Sequence, residues 1–178
     1  MKRIGIYAGS FNPFHVGHAN ILNQALDTFD EVIVALGRNP EKDGIDKEPF
    51  PFGNPILKTA KIERFRGLLT DYLSEVELAN EGSEVYLVRG LRNGDDLQME
   101  QNQLQFMREM YPSLKPVFFL GAREFEHISS TALRALKKIA EKEYEKYVYR
   151  PVLPPEGKKF GEWSKGSARI HADLKALA

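Results

Sequence analysis

Strand, helix and strand follow one another within the first forty residues, and that succession leaves the chain few folds to choose from. Ile4 to Ala8 is an apolar run that leads into Gly9-Ser10-Phe11-Asn12-Pro13, a turn-forming cluster. From Gly17 to Phe29 the apolar residues Ile21, Leu22, Ala25, Leu26 and Phe29 have the spacing of a helix with one buried face. Glu31 to Leu36 is a second apolar run, rich in β-branched residues. Such a unit implies parallel strands joined by a right-handed crossover.

The alternation continues. Glu84 to Val88 and Pro116 to Leu120 are predicted strands, and Leu68 to Leu78 a short helix. Asp95 to Met110 and Ser129 to Tyr144 are predicted long helices, the latter with Ser129 or Ser130 as N-cap. Residues 39–55 are polar and rich in Pro, Gly and Asp, which predicts a mobile loop. The expected fold class is α/β, a doubly wound parallel sheet. One domain is expected over residues 1–150, with 151–178 as a C-terminal extension holding one helix-like stretch, Ser167 to Leu177. Ligands of such sheets bind at the carboxyl ends of the strands. The clusters described next are expected just after strands or at helix starts.

Composition narrows the function. Lys+Arg and Asp+Glu both number 25, so the net charge is zero and a general nucleic-acid binder is not expected. Cysteine is absent, which removes disulfides, thiolate metal sites and a cysteine nucleophile. No signal-like N-terminus and no bilayer-length apolar stretch is visible. A cytoplasmic protein without membrane association is expected.

The most informative stretch is Gly9-Ser10-Phe11-Asn12-Pro13-Phe14-His15-Val16-Gly17-His18. His15 and His18 are three apart and share a face if both enter the first helical turn. A helix start attracts anions through its unpaired N–H groups, and two imidazoles add donors. The helix end disfavours imidazolium and a bound polyphosphate favours it, so their charge is expected to follow ligand occupancy. Gly17 is expected to let a ligand approach the backbone. No third clustered ligand accompanies the pair, which argues against zinc.

Two further clusters follow later strands. Arg89-Gly90-Leu91-Arg92 offers two guanidiniums able to grip phosphate around a glycine, with Asp96 and Glu100 four apart on the next helix. Ile128-Ser129-Ser130-Thr131 places three hydroxyls at a helix start, with Arg134 one turn later.

The HxGH element resembles the signature of the nucleotidylyltransferase superfamily, which implies a Rossmann-like fold and nucleotidyl transfer without a covalent enzyme intermediate. Phe65 to Tyr72, Val88 to Arg92, Asp96 with Glu100, Val117 to Leu120 and Ile128 to Thr131 occur in an order and spacing similar to bacterial phosphopantetheine adenylyltransferases, over about residues 3–140. That resemblance implies transfer of AMP from ATP to 4′-phosphopantetheine, giving 3′-dephospho-coenzyme A and pyrophosphate, with Mg²⁺ carried on ATP. It places Ser10, Lys42, Leu69 and Arg89 at the acceptor. It places Ser10, Phe11, His15, His18, Gly90, Leu91, Arg92, Glu100, Phe125, Ile128, Ser129, Ser130 and Thr131 at ATP, with His18, Lys42 and Arg92 as catalytic groups. A homo-oligomer, specifically a hexamer, is implied as well. An adenylyltransferase for nicotinamide or nicotinate mononucleotide, and a catalytically silent nucleotide-binding relative, are the alternatives. The chain departs from the family at residues 43–58, where its usual helix start is missing, at Met107, where the family often has Asn, and past residue 145, beyond the usual family end.

Overall fold

The computed structural model describes residues 1–37, 48–57 and 59–151. Lys42 and the stretch Ser167 to Leu177 lie outside these residues. Among the described residues, five parallel strands form one sheet: β1 (Arg3–Gly9), β2 (Glu31–Leu36), β3 (Lys61–Arg64), β4 (Glu84–Leu91) and β5 (Pro116–Leu120). The helices are α1 (Val16–Thr28), α2 (Leu69–Ala79), α3 (Gly94–Met110), α4 (Ser130–Ile139) and the short α5 (Glu141–Tyr144). The strand order is β3-β2-β1-β4-β5. It reverses between β1 and β4, and a crevice opens at the carboxyl ends of such a pair.

Helices cover both faces, which is why the central strands are continuous apolar runs rather than alternating ones. The period of two assigns the faces. Ile4, Ile6, Ile33, Val85 and Leu87 pack with Tyr72, Leu73 and Val76 of α2 and Leu104 and Met107 of α3. Tyr7, Val32, Val34 and Val88 pack on the other face with Ala19, Ile21, Leu22 and Ala25 of α1.

Three expectations are corrected. β3 was not predicted, because Lys61-Ile62-Glu63-Arg64 is short and polar: it is an edge strand along which only Ile62 is partly buried. Residues 48–57 are not simply a solvated loop, since Phe50, Pro51 and Leu57 are buried and Phe50 and Leu57 join the α1-side core. The single helix expected over Ser129 to Tyr144 breaks at Ala140, whose backbone is non-helical (φ −151°, ψ 72°). The break turns Tyr144 inward, where it is fully buried with Ile128 and Leu133.

Candidate active site

β1 delivers the chain to the crevice, and the first loop is built around its histidines. His15 is the N-cap of α1 and His18 its third helical residue. The His18 backbone N–H donates to His15 Nδ1 (3.4 Å), and the His15 N–H donates to His18 Nδ1 (3.3 Å). The reciprocal pair does the work that Ser and Glu do in a common capping box. The rings stack with centroids 3.7 Å apart. Since each Nδ1 accepts, each neutral ring carries its hydrogen on Nε2. Burial, with the Arg92 guanidinium second, lowers the His15 pKa to about 4. Without a bound anion, His15 is thus a neutral donor near pH 7. Gly17 lines the cleft, and a Cβ there would meet His15 Cε1 at 3.1 Å, so the glycine also makes room for the capping ring.

The loop before these histidines is clamped by α4. Phe11 has left-handed backbone (φ 45°), which costs a non-glycine residue about 1–2 kcal/mol. Its ring is buried among Tyr7, Phe14, Phe50 and His18, with the His18 centroid 5.0 Å away. Ser130 Oγ donates to the Pro13 carbonyl (3.1 Å), and Arg134 Nη1 donates to the Asn12 carbonyl (2.6 Å). Ser129 is the α4 N-cap and accepts the Ala132 N–H at 3.1 Å. Two helix starts are thereby held at one rim of the sheet.

The third element is the end of β4. Arg89, Gly90 and Leu91 lie within the strand, not after it as expected. A Cβ at Gly90 would meet Ile21 Cγ1 at 2.7 Å, so this glycine admits α1 onto the sheet. Alternation sends Arg89 to the α3 side, where its Nε and Nη2 bind Glu100 (2.6 and 2.8 Å) and Nη2 also reaches Gln103 (2.8 Å). Arg92 stays on the crevice side and pairs with Asp96 (2.7 Å).

A cleft of about 190 Å³ lies where these parts meet. It is lined by His15, His18, Gly90, Leu91, Arg92, Phe125, Ile128, Ser129 and Ser130, all predicted from sequence as ATP-side residues. Phe11 and Thr131 stand behind this lining: Phe11 supports His18, and the Thr131 hydroxyl accepts from Arg134 (3.0 Å). Ser10 is half-buried at the exit of β1. Leu69, at the start of α2, packs on the α2 and α3 core, and Arg89 and Glu100 share that side of the sheet. The sequence reading missed Tyr7, Ile21, Gly121 and Ala122 as lining residues, while Glu126 falls in the run Phe125 to Thr131 that the resemblance assigns to ATP. Tyr7 and Ile21 carry no polar motif signal, because they look like ordinary core. Burial pushes the Tyr7 phenol well above its usual pKa, opposed by the charge of Arg89.

The arrangement offers neutral and cationic donors on two helix starts and one strand end, as a polyphosphate requires. Residues 6–136 match the cytidylyltransferase-like family. The chain is 33% identical over 143 residues to phosphopantetheine adenylyltransferase of Cytophaga hutchinsonii, covering 78% of this chain and 91% of that protein. It is 32% identical over 165 residues to phosphopantetheine adenylyltransferase of Streptococcus mutans, covering 88% and 94%. In fold it is similar to Plasmodium falciparum nicotinic acid mononucleotide adenylyltransferase complexed with NaAD, with a TM-score of 0.52, 18% identity and coverage of 83% and 91%. The convergence of the two helix starts on the β1–β4 crevice and these likenesses together establish that the chain belongs to the cytidylyltransferase-like family and, within it, to the phosphopantetheine adenylyltransferases.

Proposed function

We propose that the chain transfers AMP from ATP to 4′-phosphopantetheine by direct in-line attack of the acceptor phosphate on the α-phosphorus, releasing pyrophosphate and forming 3′-dephospho-coenzyme A. The observation that carries this reading is the two-sided site. Donors for a triphosphate line the cleft between α1 and α4, and Arg89 stands on the α3 side of the same strand end. Two polyanions can therefore approach one rim from different sides. The reaction needs little covalent help from the protein, and alignment with offset charge supplies most of the catalysis.

In this reading His18, Arg92 and the Ser129-Ser130 helix start hold the ATP phosphates. Ser10, Lys42, Leu69 and Arg89 serve the acceptor. Arg89 keeps its Nη1 edge for phosphate, since Nε and Nη2 are spent on Glu100 and Gln103. Among the described residues no three His, Cys, Asp or Glu side chains converge as a metal cage. That donor set suits Mg²⁺ arriving on ATP, bound by phosphate oxygens and water. When bound, the ion would offset charge on the triphosphate.

We place the enzyme in the cytoplasm as a homo-oligomer, a hexamer by family resemblance. Among the described residues no helix is long and apolar enough to cross a membrane. Exposed Met99, Phe106 and Met110 along α3 support association between copies, which sedimentation would test. The decisive assay is pyrophosphate release from ATP with 4′-phosphopantetheine, nicotinamide mononucleotide and nicotinate mononucleotide, with CTP as competing nucleotide. Turnover with 4′-phosphopantetheine is expected. Preference for a mononucleotide, preference for CTP, or ATP binding without turnover on any acceptor would overturn the assignment.

A further inference from the structure

Glu48 lies outside the cleft with its side chain 9% exposed, an unusual degree of burial for a carboxylate. Lys137 of α4 and Arg150 both bind it, Arg150 at 2.7 Å. The same two cations lie over the ring of the buried Tyr144, at 5.5 and 5.6 Å from its centroid. Glu48 is the buried member of this cluster, while Lys137 and Arg150 each keep more than a third of their side chains exposed. What the cluster does accomplish is geometric.

The Glu48 backbone N–H donates to Asn12 Oδ1 at 2.7 Å. Asn12 is 8% exposed, and its carbonyl receives Arg134 of α4. Helix α4 therefore grips one asparagine twice, directly through Arg134 and indirectly through Lys137 and Glu48. Asn12 follows Phe11, whose ring sits against His18. Asn12 thus joins α4 to the turn that carries Phe11 and leads into the capped start of α1.

Resting on the adenylyl-transfer reading, we propose that Glu48 is a positioning residue for the reaction: fastened to α4, it fixes Asn12 and, through the Phe11 turn, the placement of His18 against ATP. Glu48 touches no reacting atom and acts through His18, so its effect is read in turnover or, where there is no turnover, in ATP affinity.

Three variants test this. Glu48→Ala should lower kcat about tenfold or more, since small misplacements of reacting groups cost that much, while the acceptor KM stays within about twofold. Glu48→Gln, which keeps the hydrogen-bonding shape, should recover part of kcat. Asn12→Ala leaves the Glu48 ion pairs intact and should reproduce the kcat loss, which keeps the test decisive if Glu48→Ala does not fold. Combined with Arg134→Ala, Glu48→Ala should cost less than the product of the single losses, because both act through Asn12. A lowered thermal midpoint with kcat within about twofold of wild type in the folded range, or losses that simply multiply, would overturn the proposal. Wild type is run alongside. If it turns over no acceptor, the parent reading fails, and Glu48 is judged by calorimetric ATP affinity alone. A drop of about threefold in Asn12→Ala, worth about 0.65 kcal/mol, with a smaller drop in Glu48→Gln, then supports the role, and unchanged affinity in Asn12→Ala refutes it.

Discussion

Acidification from neutral pH toward pH 4 should cost this protein folding free energy through one histidine. His15 is 5% exposed and caps α1 through Nδ1, and burial, aided by Arg92, lowers its pKa from 6.5 to about 4. The folded pKa is the lower one, so as pH falls the unfolded chain binds the proton first. Stability from this group is therefore complete above about pH 6.5 and is lost progressively down to about pH 4. The full loss is about 3 kcal/mol, at about 1.4 kcal/mol per pH unit of displacement. Imidazolium would also aim an Nδ1–H at the His18 N–H and abolish the cap. The comparison is His15→Asn, because asparagine is among the strongest N-caps and does not titrate in this range. Urea unfolding free energies would be measured for both proteins across this pH interval. Loss of packing in the variant adds a constant offset, and carboxylates such as Glu48 and Asp96, held low by their cationic partners, contribute equally to both. The difference between the two curves should thus shrink as pH falls. Parallel curves would refute the claim that a neutral, buried His15 ring holds the helix start.

Four further outcomes are expected. Gly90→Ala puts a Cβ 2.7 Å from Ile21 Cγ1 and should cost about 1–3 kcal/mol, or roughly 2–10 °C in Tm for a chain of this size. That penalty should shrink when Ile21→Ala is already present, and an unchanged penalty would show that the contact is not the cause. Ser129→Ala removes the acceptor for the Ala132 N–H and should cost about 1 kcal/mol in denaturant titration. Arg89→Lys cannot keep the two-point grip on Glu100, and its acceptor KM should rise about tenfold with the ATP KM within about twofold. A rise in the ATP KM alone would sink the two-sided site. His18→Ala should lower kcat on the order of 100-fold with the circular dichroism spectrum unchanged, and near-normal turnover would remove His18 from the mechanism.

Much of this was legible in the residues. The run Glu31 to Leu36 coincides with β2, because a strand buried on both faces must be apolar throughout, and Pro116 to Leu120 coincides with β5, an edge strand that is nonetheless apolar. Lys61 to Arg64 escaped notice because an edge strand has no such requirement. Nine of the residues predicted to face ATP, among them His18, Arg92 and Ser130, line one cleft, since they lie at helix starts, a strand end and the turn that leads into α4 at the same rim. The structure also adds reasons for familiar letters, as at Gly17 and Gly90, which line the cleft and where a protein side chain also needs the space.

Local order in the sequence determined the parallel sheet and the helix starts, because periodicity, capping and turn chemistry act over a few residues. Only the tertiary structure decided that His15 is neutral, that Arg89 is tied to Glu100 and Gln103, and that Asn12 is gripped by both Arg134 and Glu48. Burial and pairing depend on what the fold brings alongside from distant parts of the chain, and no local pattern in the sequence records that neighbour.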